Sequence, residues 1–255
     1  MQAFSNIQKW AVRVLTELGD FMITSGFVLV ACFTPPWRIW LVIQQMEFIG
    51  VGSILIIVLM SMFAGAVFTL QVLYALSMFS MESMVGATVA LALTRELSPV
   101  LSALMITGRA GSAMATELGT MRVTKQIDAL ESMAVNPLQY LVVPRFIASL
   151  VMFPVLTMVS NLVGMFGSYV VGVIMWGIDP GNFIERIRWY VTAHDIYSGL
   201  MKSIVFGGVV TLVSCFKGYR AAGGARGVGT ATTQAVVISS VSIMIVDYFL
   251  TVLMY

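Results

Sequence analysis

FIGVGSILIIVLMSMFAGAVFTLQVLYALSMFSM, residues 48–81, lies between Glu47 and Glu82 and holds no Lys, Arg, Asp or Glu. A helix needs about 20 mostly apolar residues to cross a hydrocarbon core about 30 Å thick. This run exceeds that length and has no charged face to turn toward water. A second charge-free run lies between Arg145 and Asp179, and these two decide the class. Three less pure stretches follow the same pattern. Ser83 to Ile106 is interrupted by Arg95-Glu96, Ile196 to Phe216 carries Lys202, and Gln234 to Tyr255 carries Asp247. The composition agrees, with 59% hydrophobic residues, 10% charged residues and a mean hydropathy of +0.94 over 255 residues. The expected fold is an all-α integral membrane protein with five transmembrane helices. A net charge of +2 gives no reason to expect a nucleic-acid partner.

Basic residues near span ends favour the cytoplasmic side. Lys9, Arg13 and Arg38 precede the first span; Arg109, Arg122, Lys125 and Arg145 follow the second; Lys217, Arg220 and Arg226 follow the fourth. The other side holds Arg186 and Arg188 among Asp179, Glu185 and Asp195. The N-terminus is therefore expected inside and the C-terminus outside. Phe21 to Phe33 is apolar, too short for a span and stopped by Pro35-Pro36, which suits an interfacial helix on the cytoplasmic leaflet. Leu29-Val30-Ala31-Cys32 resembles a lipoprotein cleavage box, but Glu17 and Asp20 in the long leader oppose a signal peptide. Cys32 and Cys215 stand in no CxxC or Cys/His cluster, so neither a disulfide framework nor a metal site is expected.

The few polar features inside the spans carry the functional information. Arg95-Glu96 sits midway along the second span, where an isolated charge costs about 2.5–3.5 kcal/mol. Pro99 frees the Arg95 carbonyl and kinks the helix beside them. Such a pair either forms part of a binding site or satisfies itself and neighbouring helices. Lys202 and Asp247 fall at matching depth and form a second candidate pair, structural or gating. Gly164, Ser168 and Gly172, with Ser203, Gly207 and Thr211, are small residues at close-packing spacing, either within the bundle or toward a second copy. The cytoplasmic segment from Thr107 to Asn136 interleaves charge with methionine and leucine. Glu117, Met121, Thr124 and Asp128 share one helical face, fitting a docking helix or an interfacial helix with a solvated side.

The text LALTRELSPVLSALMITGRAGSAMATELGTMRVTKQIDALESMAVNPLQYLVVPRFIASL, Leu91 to Leu150, resembles the MlaE-type permeases, membrane subunits of bacterial ABC transporters that move phospholipids between inner and outer membranes. The likeness extends back through FAGAVFTLQ (Phe63 to Gln71) and forward through Lys202 and ATTQAVVISS to Asp247. The N-terminal forty residues and the loop from Gly181 to Thr192 match loosely. The resemblance implies one permease domain over 1–255: an N-terminal interfacial or elbow helix in 1–40, a five-span bundle in 48–255, and a coupling helix at about 108–136. Glu117, Gly119, Met121, Gln126 and Asp128 then carry the ATPase-coupling motif. Phe68, Leu76, Phe79 and Leu97 would line a lipid cavity, with Arg95 and Glu96 near its floor, while Lys202 and Asp247 would form an intramembrane charge pair. The implied partners are a second copy of the chain, an ABC ATPase (MlaF-like) with a small regulatory subunit (MlaB-like), a periplasmic lipid-binding MCE subunit (MlaD-like), and phospholipid. The resemblance implies the bacterial inner membrane and a role in outer-membrane lipid asymmetry.

Gly223 to Gly229 is glycine-rich but lacks the Lys-Ser/Thr of a phosphate-cradling GxxxxGK[ST] loop. It reads as a flexible cytoplasmic loop. ATP and magnesium therefore belong to a partner ATPase, and no cofactor is expected in this chain. The rival class is an ion-coupled transporter or channel using Arg95, Glu96, Lys202 and Asp247, which leaves the docking segment unexplained. An intramembrane enzyme would need a nucleophile and base in reach, and His194 beside Asp195 has neither Ser nor Cys motif near it.

Overall fold

The structure, a computed structural model, describes residues 2–35 and 38–254, with the side chains of 2–11, 13 and 14 outside the described set. Pro36, Tyr255 and the side chains of Lys9 and Arg13, which entered the reading above, thus lie outside the described residues. Five helices are long and apolar enough to cross a membrane: α2 (Ile39–Ser77), α3 (Glu82–Val123), α5 (Leu138–Met175), α7 (Ala193–Tyr219) and α8 (Gly224–Met254). Among the described residues three others join them, namely α1 (Gln2–Ala31), α4 (Gln126–Ser132) and α6 (Pro180–Tyr190). The described residues contain no strand.

In lipid, helices associate through close backbone approach and hydrogen bonds between small polar side chains, since apolar burial gains nothing over the acyl chains. The α2–α5 pair shows both. Ser61 and Ser160 hydroxyls lie 2.7 Å apart, and Thr69 donates to Ser168 at 2.7 Å. A Cβ on Gly65 would collide with the Gly164 carbonyl, and one on Gly167 with that of Met62. The small-residue stripe of the third span is thus turned toward α2 of the same chain. Ile57, Ala103, Phe153, Phe206 and Ile243, one from each long helix, meet in the central core.

The long helices contain wide turns. π-turns occupy Leu93–Leu97 and Thr107–Gly111 in α3, and Leu138–Val142 and Val170–Met175 in α5. Pro99 and Pro144 each follow one, and the residues four before them, Arg95 and Tyr140, lie inside it. A proline ring clashes with that carbonyl in a regular helix, and widening the turn relieves the clash.

Three expectations are revised. The N-terminal helix extends beyond the apolar stretch Phe21–Phe33, within the 1–40 that the resemblance implied: α1 begins at Gln2. It is anchored by Glu17 to Lys217, by Asp20 to Arg220 at 2.5 Å, and by edge-on stacking of Phe21 on Phe216. The segment from 108 to 136 is not one helix. Residues to Val123 continue α3, Lys125 turns the chain at φ 64°, and α4 follows. The glycine-rich run is not a flexible loop beyond Gly223, because α8 starts at Gly224 and runs through it. A Cβ at Gly227 would strike the Ala222 carbonyl, so glycine lets the turn close on the first helical residues.

Candidate functional site

The two charged pairs of the sequence join in one network. Lys202 of α7 is fully buried. Its Nζ lies 2.6 Å from Glu96 Oε2 on α3 and 3.1 Å from Asp247 Oδ1 on α8. It also donates to Thr251 Oγ1 at 2.7 Å and to the Arg95 carbonyl at 3.2 Å. An ammonium has three N–H donors, so four oxygens compete for it. The carbonyl that Pro99 denies its helical partner is one of the four. Arg95 and Glu96 do not pair with each other. Arg95 reaches Asp195 at 2.7 Å, and the second oxygen of Asp195 accepts from the Thr192 amide and hydroxyl, each at 2.8 Å. That capping box starts α7 and holds a nearly inaccessible carboxylate under Arg95. Close approach of α7 to the π-turn depends on Gly199, where a Cβ would collide with the Thr94 carbonyl.

Burial divides the network. Lys202 and Asp195 are sealed, whereas the side chains of Arg95 and Glu96 are each 37% exposed on the bundle's surface. The result is an exposed cation and an exposed anion at adjacent positions, each backed by an opposite charge.

Phe68, Leu76 and Leu97 pack around one apolar cluster of Leu73, Val85, Val89 and Leu93. Leu97 sits next to Glu96, so this cluster adjoins the charged turn. Phe79 is apart from them, in the turn after α2 and 74% exposed.

The five residues assigned to coupling divide differently. Glu117 binds the buried Arg145 at 2.8 Å, Gly119 rests against Ala221 and Val228, and Met121 packs on the cluster around Leu118 and Ile127. Those three join α3 to its neighbours. Gln126 is exposed, and Asp128, half-exposed, binds Arg122 at 2.8 Å and Lys125 at 3.1 Å around the turn. Asp195, Thr251 and Arg145 were missed as members of these networks. The Thr192-x-x-Asp195 spacing was a usable signal for the first; nothing local marked the other two.

The family model "Permease MlaE" matches residues 42–253. The chain belongs to the MlaE permease family. A "probable ABC transporter permease protein" of Rickettsia bellii is 39% identical over 251 residues, covering 98% of this chain and 97% of the relative. The "intermembrane phospholipid transport system permease protein MlaE" of Haemophilus influenzae is 40% identical over 216 residues, 84% of this chain and 83% of the relative. A Synechocystis probable ABC transporter permease protein is 42% identical over 213 residues, with 84% and 81% covered. As a MlaE-family permease the chain is a multi-pass membrane protein, and all seven residues of the Lys202 and Arg95 networks fall within the matched region.

Proposed function

We propose that this chain is the membrane subunit of an ABC transporter moving phospholipid between the inner and outer membranes, and so maintaining outer-membrane lipid asymmetry. Two copies work with two ATPase subunits and their small regulatory subunit on the cytoplasmic side and a lipid-carrying MCE subunit on the periplasmic side. The N-terminus is cytoplasmic and the C-terminus periplasmic. The observation that carries the lipid assignment is on α2 and α3, where Phe68, Leu76 and Leu97 pack on one apolar cluster and Leu97 neighbours the exposed Arg95-Glu96 turn. It is hydrocarbon beside an exposed cation and an exposed anion, the chemistry of acyl chains joined to a phosphate and its amine or hydroxyl. Glu96 accepts a donor of the headgroup, and Arg95 binds phosphate oxygens with charge-assisted hydrogen bonds.

Energy comes from the partner ATPases, which close on the Lys125 turn and on Asp128 at the start of α4. Movement of α3 then changes the setting of Arg95 and Glu96 against Asp195 and Lys202, exchanging lipid contacts for internal ones. Purification of the assembly in mild detergent tests this directly. An ATPase and phospholipid should co-purify, and Leu97→Arg should lower the lipid measured by mass spectrometry. A chain that purifies without an ATPase and moves its substrate with an ion gradient would establish the rival ion-coupled reading instead.

A further inference from the structure

A cavity of 440 Å³ lies between α1, the π-turn Leu138–Val142 and the last turns of α7. That is within the span of about 300–1,000 Å³ usual for ligand sites. It shares no lining residue with the Lys202 network. Its wall is two-sided: Arg122, Arg220 and Asp20 offer polar groups, while Val28, Val142 and Leu212 offer hydrocarbon.

The polar side has donors to spare. A guanidinium carries five N–H groups. The ion pairs use Nη1 of Arg122 toward Asp128 and Nη2 of Arg220 toward Asp20. Both arginine side chains are more than a third exposed, so a ligand can reach them. The Ser25 hydroxyl is cut off from solvent and finds no hydrogen-bond partner among the described residues.

A soluble anion would satisfy the arginines and leave the hydrocarbon wall wet. A purely apolar ligand would fill that wall and strip water from charged groups without replacing it. An amphiphile with a phosphate at one end satisfies both. The cavity lies at the end of the bundle where Arg122, Arg145, Lys217 and Arg220 gather, each already paired with a carboxylate, so a headgroup phosphate binds there by taking an acid's place. We propose that this cavity binds the head and first chain carbons of an anionic membrane lipid, whose phosphate displaces Asp20 from Arg220. Because the Asp20–Arg220 pair helps to hold α1 against α7, the bound lipid sets how firmly that helix is docked.

The test uses the full chain in phosphatidylcholine nanodiscs doped with phosphatidylglycerol carrying a diazirine near its head. Crosslinks are mapped by peptide mass spectrometry to residues 20–28 and 212–222. Arg220→Gln should lower the yield there by about tenfold, the loss of one charge-assisted contact, and Asp20→Asn should raise it by removing the competitor. Leu212→Trp, which fills the cavity and leaves both charges, should lower it as well. If Asp20→Asn and Arg220→Gln both lower the yield alike, the pair merely holds α1 in place and the proposal fails. It fails equally if free glycerol 3-phosphate competes as well as the lipid, or if a diazirine phosphatidylcholine labels the same peptides to the same extent.

Discussion

Lys202 is the residue on which three helices converge, and its removal separates stability from transport. Lys202→Met leaves Glu96 and Asp247 facing each other with no cation between them. Losing one partner of a buried pair costs about 3 kcal/mol or more, so the thermal midpoint in detergent should fall clearly. Adding Glu96→Gln and Asp247→Asn to that variant removes the repulsion and should recover most of the midpoint. Lipid transport by the reconstituted assembly should stay absent in the triple variant, because the exposed charge at Glu96 is gone. Recovery of transport would show that the network only holds the helices together. The cost of charge in hydrocarbon made Arg95, Glu96, Lys202 and Asp247 conspicuous in the sequence. Their pairing was not legible there, because it depends on how α3, α7 and α8 are rotated about their own axes. Asp195 hid for the opposite reason: beside a span end a carboxylate looks solvated, and only the packed capping box shows it buried.

At the level of the element, α3 shows why a charged segment need not be a loop. Apolar residues such as Met114, Ala115 and Leu118 keep one side of its continuation buried after Ile106, so the helix runs on to Val123. Composition signalled the change of environment but not the continuity. This alters the expected behaviour of two substitutions. Asp128→Lys, on the exposed turn, should abolish co-purification of the ATPase while leaving the thermal midpoint within a few degrees. Glu117→Lys sets a second cation against Arg145, which is almost wholly buried, and should unfold the chain at lower temperature whether or not an ATPase is present. Equal thermal midpoints for the two variants would contradict this division. Gly119→Val drives methyl groups into Ala221 and Val228, an overpacking worth about 1–3 kcal/mol, and the same thermal assay should register it.

For the whole molecule, the five crossings were legible because charge-free runs leave little choice in lipid, whereas the long reach of α1 was not, since its first half has no apolar stretch. The most exposed long helix is α8: only 11% of its most apolar window is buried. Met244, Tyr248 and Thr251 recur at helical spacing on it, the first two are exposed, and Thr251 touches Lys202. A second copy covering this stripe would enclose the exposed charges between the two chains. In a background with Cys32 and Cys215 replaced by serine, Met244→Cys or Tyr248→Cys should therefore form a covalent dimer on mild oxidation in membranes. Failure of both to crosslink, with the chain correctly inserted, would place the dimer seam on another helix.

The 42 residues of α3 extend about 63 Å as one piece, and they carry a widened turn at Thr107–Gly111 between the Asp128 turn and the Arg95 charges. A uniform α-helix would transmit a push along its axis as simple sliding. A helix with one loosely wound coil can also twist there, so thrust at one end becomes rotation at the other. For the exchange proposed at Arg95 and Glu96, rotation is the useful motion, since a few tens of degrees of torsion would turn neighbouring side chains from an inner partner toward an outer one. In the proposed cycle the wide turn would serve as a torsional joint, and its stiffness would set how much of a thrust from a docked ATPase reaches the Arg95-Glu96 turn.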